Sequence, residues 1–85
     1  MDIQLRFFAG IRETLGISKE SVSLPDHIGS VGALRRFLIA RGGVWEQALG
    51  EARVLRMAYN QAMADAETPI ADGGEVAFFP PVTGG

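Results

Sequence analysis

The stretch Glu75–Phe79, EVAFF, runs directly into Pro80-Pro81 and then Val82-Thr83-Gly84-Gly85. Successive residues of a strand point to opposite faces, so Val76 and Phe78 look one way and Ala77 and Phe79 the other. Apolar residues on both faces are the mark of a strand covered on both sides, which predicts a central position in a sheet. Ahead of it, Asp72-Gly73-Gly74 is turn chemistry; behind it, two prolines lack the N–H groups that a longer ladder needs.

From Asp2 to Phe8, Ile3, Leu5 and Phe7 alternate with Asp2, Gln4 and Arg6, the period of a strand with one face on a core. Ala9 to Leu15 places Ile11 and Leu15 four residues apart with Gly16 just beyond, which predicts a short helix closed by a left-handed glycine. Alternation returns at Ser21–Leu24, giving an antiparallel partner for the first strand. Ser30 is placed to cap a main helix on which Val31, Leu34, Phe37 and Leu38 recur until Arg41-Gly42-Gly43 stops it. Val44 to Leu49 reads as a further helical turn with Trp45, Ala48 and Leu49 inward. Val54 to Tyr59 predicts another strand, Asn60-Gln61 a turn, and Ala62 to Ala64 a short returning segment. One long helix packed across one mixed sheet is an α+β roll. The expected organisation is a folded domain over residues 1–79 and a flexible tail over 80–85.

The 85 residues are enough for one hydrophobic core without metal or disulfide. There is no cysteine, hence no thiolate nucleophile and no cysteine metal site, in keeping with a reducing compartment. A formal net charge of −2 argues against nucleic acid as a partner, because neutralising phosphates takes clustered cations. Arg35, Arg36 and Arg41 read as a solvated helix face. The opening MDIQLRFFAG carries an Asp and an Arg within its apolar run, so neither a signal peptide nor a membrane span is expected, and the cytoplasm is the default location. His27, the one histidine, lies beside Pro25 and Asp26 in a loop and reads as solvated. The glycines fit no phosphate-binding spacing, and Asp72 and Glu75 are turn residues rather than a catalytic pair. No self-sufficient enzyme is written here.

The terminal α-carboxylate, in contrast, can do chemistry. It is anionic at neutral pH and a poor electrophile, so it reacts only once activated as an acyl-adenylate or similar species. Glycine at positions 84 and 85 removes both Cβ atoms, which lets main chain thread a narrow pocket. Pro80 and Pro81 end the sheet, and the six residues from Pro80 reach on the order of 20 Å. For an arbitrary domain such an end would be ordinary fraying.

The combination of LRFFAGIRETLG (5–16), VGALRRFL (31–38), the Asn60-Gln61 turn and above all DGGEVAFFPPVTGG (72–85) resembles the small, sulfur-carrier subunit family of molybdopterin synthase, proteins of ubiquitin-like β-grasp fold. The resemblance spans nearly the whole chain. It implies that an adenylating, E1-like enzyme charges Gly85 using ATP, that a sulfur donor converts the acyl-adenylate to a thiocarboxylate, and that a large catalytic subunit, in a heterotetramer, uses this sulfur to build molybdopterin from cyclic pyranopterin monophosphate. No cofactor is expected on the chain itself, a non-catalytic carrier. The resemblance carries the thiocarboxylate role to Gly85 and partner contact to Gly84, Thr83, Val82, Pro81, Pro80, Phe79, Arg12 and Phe7. By parity alone, Phe7 and Phe78 belong in the core, and Phe79, on the opposite parity, is the better exposed contact. Two other readings stand beside this one: a carrier for another, thiamine-type pathway, and a ubiquitin-like modifier joined to lysines. A single lysine, Lys19, leaves little scope for a modifier that builds chains on itself. A plain interaction domain with an idle tail is a third.

Overall fold

The computed structural model describes residues 1–81. Its elements follow in the order β1 (Asp2–Phe7), α1 (Ala9–Leu15), β2 (Lys19–Ser23), α2 (Val31–Ile39), α3 (Val44–Leu49), β3 (Arg56–Tyr59), β4 (Ala62–Ala64) and β5 (Glu75–Phe79). The five strands form one sheet in the order β2-β1-β5-β3-β4. β5 pairs in parallel with β1 and antiparallel with β3, while β1–β2 and β3–β4 are antiparallel hairpin-like pairs. The mixed sheet is therefore centred on the strand whose sequence is apolar on both sides.

The inner face of the sheet is built by Ile3, Leu5 and Phe7 of β1, Val22 of β2, Met57 of β3 and Val76 and Phe78 of β5, all buried. Val31, Leu34 and Leu38 of α2 and Ala48 and Leu49 of α3 close over them in the same cluster. Ring stacking fixes the middle of this core: Phe7 lies parallel to Phe78 at 6.0 Å and edge-on to Trp45 at 5.7 Å.

Local chemistry accounts for the element ends. The Ser30 hydroxyl accepts the Ala33 N–H at 3.1 Å and so caps α2. Gly16 closes α1 at φ 77° with its N–H on the Arg12 carbonyl. Asn60 and Gln61 both have positive φ (48° and 69°), which turns β3 tightly into β4. Arg35 fixes the end of α3: Nε donates to Leu49 O at 2.7 Å, and Nη2 to Gly50 O at 2.8 Å and Arg53 O at 3.0 Å. Burial pushes the pKa of this guanidinium down, with Glu51 pulling the other way. The cost of that burial is offset by three carbonyl acceptors. Residues 54 and 55, expected as the start of the third strand, are instead the end of the loop that Arg35 holds, and Val54 is exposed.

Candidate functional site

The outer face of the sheet is set by the same alternation. Register places Lys19 opposite Arg6, Arg6 beside Ala77, Ala77 opposite Ala58, and Ala58 opposite Met63, one row running across all five strands. At the C-terminal end of β5, Phe79 stands opposite Arg56. Phe8, the residue after β1, meets Phe79 edge-to-face with ring centroids 6.4 Å apart, and the Arg6 guanidinium lies 5.8 Å from the Phe8 ring. Phe8 is 41% exposed and Met63 61%, the two most open large apolar side chains on this face. Among the described residues no helix covers them. The result is an aromatic and aliphatic patch of Phe8, Phe79, Ala58 and Met63, with the buried Ala77 in its floor and arginines on its rim, of the kind that marks a protein-binding surface.

The terminal arm starts at the edge of this patch. Pro80 and Pro81 follow Phe79 outside any strand, both half-buried. With Ile11 and Thr14 of α1 and Leu55 of the held loop, they line a groove of about 470 Å³. The base of the arm thus borders the same groove as the first helix and the loop anchored by Arg35. Val82, Thr83, Gly84 and Gly85, assigned to the tail by the sequence, lie outside the described residues.

Two expectations meet the structure differently. Phe79 is half-buried on the outer face beside the arm. Phe7, expected at the partner-facing surface as well as by parity in the core, is 1% exposed between Phe78 and Trp45, so it cannot touch a partner and the partner assignment is corrected. The neighbouring Phe8 takes the exposed place; Phe8 has Arg6's parity, and an aromatic on the polar parity of an amphipathic strand was the available signal. Met63 was missed for the same reason, because the turn at Asn60-Gln61 fixes which residues of β4 face outward. Arg12 is exposed on α1, one turn beyond Phe8, whose carbonyl accepts the Arg12 N–H at 3.4 Å. His27 is an exposed loop residue. Asp72 acts as a turn residue, its Oδ1 accepting the Asp2 N–H at 2.6 Å. Among the described residues no group of His, Asp or Glu could hold a metal ion, and no helix is long and apolar enough to cross a membrane.

Comparison with known proteins gives this geometry a context. The sequence pattern of the ThiS family matches residues 5–85. The molybdopterin synthase sulfur carrier subunit of Escherichia coli is 41% identical over 83 residues, covering 98% of this chain and 99% of that protein. Among solved structures, a protein-protein complex of subunits 1 and 2 of molybdopterin-converting factor from Helicobacter pylori contains a chain matching with a TM-score of 0.68 and 28% identity, each chain covered in full. SAMP1 from Haloferax volcanii matches with a TM-score of 0.79 and 26% identity, again over 100% of both chains. These are β-grasp folds with the sheet found here. The chain therefore belongs to the ThiS family, among the molybdopterin synthase sulfur carrier subunits.

Proposed function

We propose that this chain carries sulfur on Gly85 for molybdopterin synthesis, docking on a large catalytic subunit through the outer sheet face while the arm from Pro80 onward enters that subunit's active site. The observation that carries the proposal is the shared strand: β5 ends at Phe79 on the docking face, and the arm begins at the next residue. Full-length likeness to carrier subunits, reaching the last glycine, supports the role of the terminus.

The chemistry follows from what a carboxylate can do. In the charging step a Gly85 carboxylate oxygen attacks the α-phosphorus of ATP on a partner adenylating enzyme, and pyrophosphate leaves. A sulfide-level nucleophile from a sulfur donor then adds to the acyl carbon and displaces AMP, leaving a thiocarboxylate. On the large subunit the sulfur passes to cyclic pyranopterin monophosphate, and water restores the carboxylate. The carrier's own residues supply position rather than proton transfer: the apolar face binds, Pro80 and Pro81 aim the arm, and the Cβ-free Gly84 and Gly85 pass a narrow channel. ATP belongs to the activating partner, and the cytoplasm is where it would be met.

Intact mass spectrometry of the chain co-expressed with an adenylating enzyme and a sulfur source tests this. A species heavier by the difference between sulfur and oxygen, localised to Gly85, is expected. A chain left unmodified by an enzyme that charges another carrier would refute it. The likeness to SAMP1, small archaeal modifier protein 1, favours one second reading, attachment of Gly85 to partner lysines. Covalent ladders on denaturing gels would reveal that use.

A further inference from the structure

We propose that Arg6 and Lys19 form a carboxylate-reading site at the margin of the docking face, which receives an acidic side chain of the large subunit. The inference rests on the carrier reading above. Arg6 and Lys19 are directly opposite across β1 and β2. The Phe7 N–H donates to the Ser18 carbonyl at 2.9 Å, so Phe7 and Ser18 are the hydrogen-bonded pair and Arg6 and Lys19 the adjoining non-hydrogen-bonded one. Cross-strand side chains stand closest in such pairs. Two like charges there oppose folding, so the isolated protein gains nothing from the arrangement.

The nearby acids engage the pair only in part, through one long ion pair from Glu75 to Arg6. Glu20 turns to the other side of β2, where both its oxygens bind Arg41 at 2.7 and 3.1 Å. Glu75 approaches Arg6 only to 3.7 Å, and the Arg6 side chain remains 47% exposed. Among the described residues no ion pair engages Lys19. Arg6, Lys19, Gln4 and Ser21 border an open cleft of about 450 Å³ that Glu20 and Glu75 also line, Glu20 with its carboxylate held by Arg41. The Gln4 amide is held on the Ser21 hydroxyl at 3.1 Å, leaving the two cations as its strongest donors.

Position selects the occupant. The Arg6 guanidinium lies 5.8 Å from the Phe8 ring and Arg6 is the register partner of Ala77, so the exposed Arg6 and Lys19 adjoin the apolar patch and are covered when that patch is. A free anion would have no use for the adjoining aromatics. A protein surface presenting a carboxylate beside apolar side chains fits both, and Arg offers that carboxylate a planar fork while Lys adds a point charge. In a chain of net charge −2, this basic margin also orients the encounter with an acidic partner.

The test is calorimetric titration of the large subunit encoded with this chain by wild type, Arg6→Gln, Lys19→Gln and the double variant, at low and physiological ionic strength, with thermal unfolding of each carrier alone. Each single change is expected to weaken binding about fivefold, and the double change to flatten its salt dependence. The double variant should unfold at the same temperature as wild type or higher, because a like-charge pair has been removed. Unchanged affinity with unchanged salt dependence would overturn the proposal, as would an affinity loss accompanied by a lowered unfolding temperature, which would mark a structural role. Wild type that does not bind the large subunit at all would instead overturn the carrier reading, and this site with it.

Discussion

Truncating Met63 separates docking from folding on the outer face. Burying a methionine side chain completely stabilises by about 1.5–3 kcal/mol. With 61% of Met63 open in the free chain, covering the remainder on docking contributes roughly 1–2 kcal/mol, a factor of about 5 to 30 in Kd. Met63→Ala should therefore weaken binding to the large subunit toward that range, with alanine retaining part of the contact. The folded state should hardly notice, since an exposed position of this kind costs within about 0.5 kcal/mol and shifts Tm by only a few degrees. Val44, 44% exposed on α3 at the helical side of the molecule, provides the matched control. Titration calorimetry and thermal unfolding of Met63→Ala and Val44→Ala give the four quantities needed. A Kd for Met63→Ala within twofold of wild type, or equal losses from both variants, would refute the assignment of the docking face.

Three further substitutions probe the scaffold behind that face. Gly74→Ala would put a Cβ 2.6 Å from the Tyr59 ring and hydroxyl and displace the hydroxyl that accepts the Ala71 N–H; a loss of about 2 kcal/mol or more, seen as a Tm lower by roughly 8 °C or more, is expected. Gln61→Gly relieves a side chain held at φ 69° and should raise stability by about 0.5–1 kcal/mol in denaturant titrations. Arg35→Lys removes the fork that reaches three carbonyls and should cost about 2 kcal/mol despite the retained charge, with increased hydrogen exchange over residues 50–55.

Side-chain parity made much of this molecule legible. Ile3, Leu5 and Phe7 alternate in the sequence because β1 has one face in the core, and Val76 to Phe79 are apolar on both parities because one face of β5 meets the core and the other the aromatic patch with Phe8. Ser30 and Gly16 mark helix ends through chemistry confined to one turn. What parity does not encode is the neighbour across a ladder: the parallel pairing of β1 with β5 joins residues about seventy positions apart, and no local pattern names that partner. The start of β3 was misplaced for a related reason. Val54 and Leu55 have strand-forming side chains, but Arg35, far away in sequence, binds the carbonyls just before them and holds that segment in a loop. At the site, the same parity that put Phe79 outward put Phe7 inward, and Phe8 was overlooked because it falls at the strand's last step, where alternation no longer has a following residue to confirm it.

The placement of β5 explains how a small protein can present a terminal group to another's active site. Phe78 is held beneath the sheet against Phe7, Phe79 lies above it against Phe8, and the next two residues line a groove with α1 and the 50–55 loop. Consecutive residues of one central strand thus belong to the core, the docking face and the base of the arm. Moving Phe79, the strand end from which the arm departs, relative to the face would require breaking ladders to both β1 and β3, which are among the last elements of such a sheet to open. The relation between docking surface and arm is therefore set before any partner is met. On the carrier reading, binding energy from the sheet face can then go to placing Gly85 at the reacting centre rather than to rearranging the domain.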